Sequence, residues 1–304
     1  MNSNYDLHGQ PSEITLEQLF AVIWRGKWFI MACVIFCSAV AVWYALKLPN
    51  VYKAEAVLAP VTEESGLKIP GQLGGLAALA GVNLGSSGSK NTALAIEVLK
   101  SRGFLMRFIE KHDLYVPVIA AKGWDRASNT LVIDEELYDS AKATWVRKPK
   151  PFQNIKPSAL EVHKELRKKF TVNQEKASGM VKISLEHYSA VLATEWLMQI
   201  VKDLNDDIRI RNVTEAESSI AFLQQQLKTT DIADVRTMLY SLIEEQTKTL
   251  MLANVRDEYV LKVVDPAVVP EEKSGPMRAL TVVLAAFLGA ILAILIVFLA
   301  LRRR

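Results

Sequence analysis

Two uninterrupted apolar stretches bracket this chain and limit what it can fold into. Trp28–Leu46 is a run of 19 residues, and Ala279–Leu301 a run of 23, without one charged side chain. A helical crossing of a bilayer takes about 20 apolar residues, and a backbone survives there only if its polar groups are satisfied within the segment. Neither run has a polar face, so both are predicted to be transmembrane α-helices rather than core helices. A cleaved signal would have a short basic leader and a small-residue cleavage site. Here Asp6, Glu13 and Glu17 lie in the leader, and Lys47-Leu48-Pro49-Asn50 follows the run, so an uncleaved anchor is expected.

Basic residues set the expected orientation. Arg25 and Lys27 precede the first run and Arg302, Arg303 and Arg304 follow the second, against Lys47 and Arg278 on the opposite side. The positive-inside rule then places both termini in the cytoplasm. The predicted plan is a cytoplasmic segment 1–27, a span 28–46, an extracytoplasmic domain 47–278, a span 279–301 and a cytoplasmic tail 302–304. Of the 36 basic and 33 acidic residues, 29 and 30 fall within 48–277. A domain that close to neutral is not a nucleic-acid binder. The arginine tail is suited to anionic membrane lipids as well as to topology. The only cysteines, Cys33 and Cys37, lie inside the first span. No disulfide is therefore expected in the outer domain, and small packing residues are expected of the pair.

Within the outer domain, residues 189–228 hold no proline and no glycine. Ala193, Leu197, Ile200, Leu204 and Ile208 repeat at helical spacing, as do Val213, Ala216, Ile220, Leu223 and Leu227. The five-residue step from Ile208 to Val213 shifts the stripe, which argues against one uninterrupted seam. A helix of this length reaches about 60 Å. A second helix is predicted over 232–257, capped from Thr229-Thr230-Asp231 and paired antiparallel with the first. Strands are predicted at 51–60, 131–133, 170–175, 180–185 and 259–265. Helices are expected at 91–111, broken near Gly103, and at 158–169, where Ser158 and Glu161 form a capping-box pattern. Pro117 is expected to end the region after 111. The fold class that follows is an α+β extracytoplasmic domain with a long projecting helix and helical hairpin, anchored by two transmembrane α-helices.

Residues 63–90 hold seven of the fourteen glycines around an apolar patch, LGGLAALAGVNL. A mobile loop is expected there, with Leu73, Leu76 and Leu79 covering the domain's own core or meeting a neighbouring subunit. Ala285, Gly289 and Ala293 recur every four residues in the second span, a small-residue face suited to close helix contact. Chemistry is sparse. The histidines His8, His112, His163 and His187 lie in separate segments without zinc-like spacing. Gly85–Lys90 lacks the residue order of a phosphate loop. Glu135-Glu136 and Asp206-Asp207 are adjacent carboxylates that point apart on a helix. No catalytic, cofactor-binding or metal residue is assigned, and no enzyme is expected.

Five segments in order resemble one family. They are ITLEQLFAVIWRGKWFI at 14–30, VYKAEAVLAP at 51–60, LKSRGFLMRFIEKHDL at 99–114, KISLEH at 182–187 and VDPAVVPEEKSGPMRAL at 264–280. Together with the two end spans they are similar to the Wzz-type chain-length determinants of O-antigen lipopolysaccharide, which are polysaccharide co-polymerases. The patch LGGLAALAG looks like one in relatives that assemble capsule and exopolysaccharide, and 120–151 has no close counterpart. The resemblance implies an inner-membrane protein with a periplasmic domain. It implies a ring-shaped homo-oligomer that acts with a Wzy-type polymerase on a nascent lipid-linked glycan, without catalysis or cofactor of its own. Trp24, Arg25 and Lys27 would belong to the membrane-entry motif, and Pro266, Pro270 and Pro276 to the exit. Alternatives are a co-polymerase for enterobacterial common antigen, capsule or exopolysaccharide, and a membrane-anchored sensor. A sensor needs a cytoplasmic output domain, which 27 residues are not expected to form. A chain ending three residues after Leu301 is not expected to carry a fused kinase.

Overall fold

The computed structural model describes residues 16–61, 87–149 and 151–302. The Leu73–Leu84 patch, with Leu73, Leu76 and Leu79, lies outside the described residues. The chain divides into two compact units, Asn50–Ser274 and a unit formed by its two ends.

The end unit holds helix α1, Leu16–Lys47, and helix α8, Arg278–Arg302. Within them, Lys27–Lys47 and Arg278–Leu299 are long and apolar enough to cross a membrane. The approach Leu16–Ile23 and the first span form one continuous helix. The two helices run antiparallel, because the Arg278 guanidinium at the start of α8 donates to the Leu48 carbonyl just past the end of α1, at 3.1 Å.

The larger unit is built on a four-stranded antiparallel sheet of β1 (Tyr52–Pro60), β6 (Phe170–Gln174), β7 (Val181–His187) and β8 (Leu261–Asp265). The strand order is β6-β7-β1-β8. Period-two alternation sends Ala54, Ala56 and Leu58 of β1 into the core and leaves Lys53 and Glu55 on the other face. Glu55 there takes ion pairs from Lys53 and Lys182. Val181, Ile183 and Leu185 join the same core from β7.

Helices α2 (Ser87–Lys100), α3 (Arg102–Lys111) and the long α6 (Ala190–Thr229) cover that core. Helix α2 begins at Ser87, so the glycine-rich segment is shorter than expected and its last four residues are helical. The break between α2 and α3 comes from Ser101, whose hydroxyl accepts from Phe104 N–H as an N-cap. Phe104, Leu105, Phe108 and Ile109 then face inward together. Pro117 does not end the region. It sits in the first turn of a short helix α4, Tyr115–Ile119, where a missing N–H costs nothing. Two small hairpins follow, β2 (Ala121–Asp125) with β3 (Thr130–Ile133), and β4 (Tyr138–Asp139) with β5 (Thr144–Trp145).

Helix α5, Ala159–Lys169, is capped by Ser158, but the expected reciprocal box is half made. The Glu161 carboxylate turns away to Arg147 at 2.7 Å, a charged partner it prefers to a backbone N–H. Helix α6 starts on the Ser189 cap and buries Ala193, Trp196, Leu197, Ile200, Leu204 and Ile208 in its lower half. Beyond the phase shift only Ala216 is fully buried. That upper half packs against α7, Ala233–Val255. Helix α7 has Ile232 as N-cap with no side-chain cap, so Thr229-Thr230-Asp231 closes the turn without supplying one.

Candidate functional site

In the end unit, Gly289 faces Cys37. A Cβ built on Gly289 would lie 2.9 Å from Cys37 Cβ and 3.0 Å from its Sγ. No real side chain tolerates that separation, so glycine is what lets α1 and α8 approach. Ala293, one turn further, is fully buried, and Ala285 is half-buried. On α1 the matching face is Cys33, Cys37, Ala41 and Ala45, again a small residue every four positions, with Ala41 and Ala45 buried. The α8 stripe is readable alone; on α1 the cysteines were expected as small packing residues, and buried Ala41 and Ala45 extend them into a matching stripe.

The entry and exit residues fall in separate places. The Lys27 ammonium lies 4.9 Å from the Trp24 ring centre, and Trp24 is largely exposed. The backbone of Arg25 belongs to α1. Pro266 and Pro270 follow β8, exposed and half-buried respectively, in a segment without regular structure. Pro276 accepts the Arg278 N–H at 2.9 Å as α8 begins.

In the larger unit, both ends of the domain meet. Ser274 N–H and hydroxyl donate to the Val51 carbonyl at 2.8 and 3.0 Å. The same end holds His187, buried at the close of β7. Its Nδ1 accepts from Ser189 N–H at 3.1 Å, which leaves Nε2 to donate to the Pro117 carbonyl at 3.0 Å. The ring lies against Trp196, and burial pushes its pKa down to about 4. His187 thus joins the sheet, α4 and the start of the long helix while staying neutral.

Asn205 does the equivalent work further along α6. Its Nδ2 donates to the carbonyls of Val201 and Leu261, and its Oδ1 accepts from Val260 and Leu261 N–H, all within 3.2 Å. Two turns higher, Asn212 Nδ2 donates to the Tyr259 hydroxyl at 3.1 Å. Together they fix the start of the last strand to the long helix.

A cleft of about 320 Å³ separates α3 from α6, floored by Phe104, Phe108 and Ile210. Its carboxylates are already paired across the gap: Arg107 with Asp207 at 2.8 Å, and Lys111 and His112 with Asp203 at 2.7 and 2.8 Å. Arg209 holds Asp206 at 2.7 Å. The solvent-facing pairs contribute at most about 1 kcal/mol each, and the three that cross the gap tie α3 to α6. Among the described residues no group of three or more His, Cys, Asp or Glu could hold a metal ion.

Residues 12–112 match the family model Wzz, "Chain length determinant protein". Residues 222–302 match the model GNVR, "G-rich domain on putative tyrosine kinase". The first match spans α1, β1, α2 and α3; the second runs from the upper part of α6 through α8. No curated protein matches the chain. Among solved structures, a full-length bacterial polysaccharide co-polymerase aligns over 95% of this chain and 99% of its own, at 15% identity and a TM-score of 0.40. A fragment of WzzB, a polysaccharide co-polymerase from Salmonella Typhimurium, aligns over 75% of this chain and 100% of its own, at 14% identity and a TM-score of 0.31.

Proposed function

With the chain a Wzz-type polysaccharide co-polymerase by its two domain matches, we propose that it regulates the chain length of lipopolysaccharide O-antigen made by a Wzy-type polymerase. In this reading α1 and α8 anchor it in the bacterial inner membrane with both termini cytoplasmic, and Asn50–Ser274 stands in the periplasm. Copies assemble into a ring with their α6–α7 hairpins side by side around a cavity for the nascent lipid-linked glycan. Catalysis belongs to the polymerase; this chain supplies a scaffold.

The observation that carries the reading is the junction of Val51 and Ser274. It gathers both tethers at one end of a domain whose 40-residue helix starts near that end and reaches about 60 Å away. Large apolar side chains on the hairpin, Phe222, Met238, Tyr240, Met251 and Val255, are more than half exposed. A patch of that kind is expected to be covered by a partner, here another copy. The glycine-rich segment with Leu73, Leu76 and Leu79 would add to that contact or line the cavity. A cysteine substituted for Ala78 should then label differently in monomer and assembly.

The GNVR match favours a second reading, a co-polymerase for capsule or exopolysaccharide, since GNVR is described as a G-rich domain on putative tyrosine kinases. Deleting the gene separates the two. Loss of a modal lipopolysaccharide ladder supports the first, whereas an unchanged ladder with altered exopolysaccharide size supports the second.

A further inference from the structure

The connector after β5 presents an aromatic side chain that nothing in the domain's own packing explains. Phe152 is fully exposed and sits at φ +68°, a left-handed conformation that aromatic residues rarely take. The loop around it is nonetheless fixed. Arg147, itself mostly buried, donates to the carbonyls of Asn154 and Ile155 at 2.7 and 2.8 Å and to Glu161 at 2.7 Å. That ion pair holds the Glu161 carboxyl below its ordinary range. A mostly buried ion pair thus clamps a loop whose tip is an exposed, strained phenylalanine. Val146 and Ile155 beside it are also about half exposed. Residues 146–157 contain four basic side chains and no acidic one.

The position of this loop is as informative as its chemistry. Lys156 lies over the Tyr115 ring at 5.0 Å. Two residues on, the Pro117 carbonyl takes the His187 hydrogen bond, and His187 pairs across the sheet with Tyr52. The loop therefore belongs to the end of the domain where the chain enters from α1. Tyr52 lies only five positions after Lys47, a reach of at most about 18 Å.

We propose that the 147–157 loop is a membrane-surface contact, in which Phe152 enters the headgroup region of an anionic bilayer while Lys148 and Lys156 meet its phosphates. An aromatic wedge flanked by lysines has the composition of an interfacial anchor. The strain at Phe152 is then the cost of presenting the wedge ready-made. The contact would fix the tilt of the domain over the membrane. It rests on the anchored topology proposed above and is independent of which glycan the protein serves.

The test uses the full chain with Cys33→Ala and Cys37→Ala, reconstituted in phosphatidylcholine vesicles containing brominated phosphatidylglycerol. A bimane label is placed in turn by Phe152→Cys, by Ile35→Cys inside α1, and by Gln225→Cys near the far end of α6. Quenching at position 152 should exceed that at 225 at least threefold. It should fall toward the value at 225 when Lys148→Glu and Lys156→Glu are added, a change that leaves the Arg147 clamp intact. Equal quenching at 152 and 225, with 35 strongly quenched, overturns the loop contact and spares the topology. No quenching at 35 overturns the topology itself. Protection of position 152 that follows protein concentration and ignores the lipid overturns the proposal in favour of a second copy as the partner.

Discussion

Asn205 grips Leu261 by both of its backbone groups: its amide nitrogen donates to the Leu261 carbonyl at 3.0 Å and its carbonyl accepts the Leu261 N–H at 3.1 Å. Residues 56 positions apart are joined as a strand neighbour would join them, by a side chain in a helix. The last strand thereby inherits its position from α6 as well as from β1.

Asn205→Ala should be among the most damaging single changes in the outer domain. It leaves the Val260 N–H, which now donates to Oδ1 at 2.8 Å, without that partner in a buried setting. Orphaned buried groups cost roughly 1–3 kcal/mol each, so a loss of about 2–4 kcal/mol is expected in urea unfolding. Asn212→Ala, which removes one half-buried bond to Tyr259, should cost about 1 kcal/mol. Equal effects of the two would argue against the bracket.

Acid should loosen the same unit through His187. Its folded-state pKa of about 4 lies below the ordinary 6.5 because burial penalises the charged ring. The unfolded chain binds the proton first, so stability is full above about pH 6.5, declines as pH falls, and levels off below about pH 4. The shift corresponds to roughly 3 kcal/mol at most. His187→Gln should flatten this part of the pH–stability curve; an unchanged slope would assign it to other groups.

Gly289→Leu should drive α1 and α8 apart, since even a bare Cβ meets Cys37 at 2.9 Å. Overpacking of this kind costs about 1–3 kcal/mol. Cys37→Gly should partly rescue Gly289→Ala. Crosslinking between cysteines placed on the two helices would report it, and wild-type crosslinking in Gly289→Leu would contradict the contact.

Phe152→Gly should act in two opposite directions. Relief of the left-handed conformation should raise stability by about 1 kcal/mol, while lipid quenching of a neighbouring label at Gln153→Cys falls. A stability loss instead would mean that Phe152 packs on something in the folded protein.

The elements that local chemistry dictates were legible in the residues: the apolar runs, the helical stripe of α6 with its phase shift at Ile208–Val213, the Ser158 cap and the strands β6 and β7. What escaped depends on partners distant in sequence. Asn205 looks like one more polar residue on an amphipathic helix until Leu261 is placed beside it. Glu161 carries the local signature of a capping box, and Arg147 outcompetes the backbone for it. Pro117 reads as a terminator, yet it fits a first helical turn and supplies the carbonyl that His187 needs. The small-residue face of α1 was present at Cys33, Cys37, Ala41 and Ala45, but it acquires meaning only opposite Gly289.

The proposed control of glycan length is read in the size distribution of the glycan itself. Lipopolysaccharide would be resolved by gel from cells lacking the gene, from the parent, and from the deletion strain supplied with the full chain. A chain-length regulator gives a modal cluster of long chains in the parent, its collapse to an unregulated ladder in the deletion, and its return on complementation. A deletion ladder indistinguishable from the parent's would contradict it.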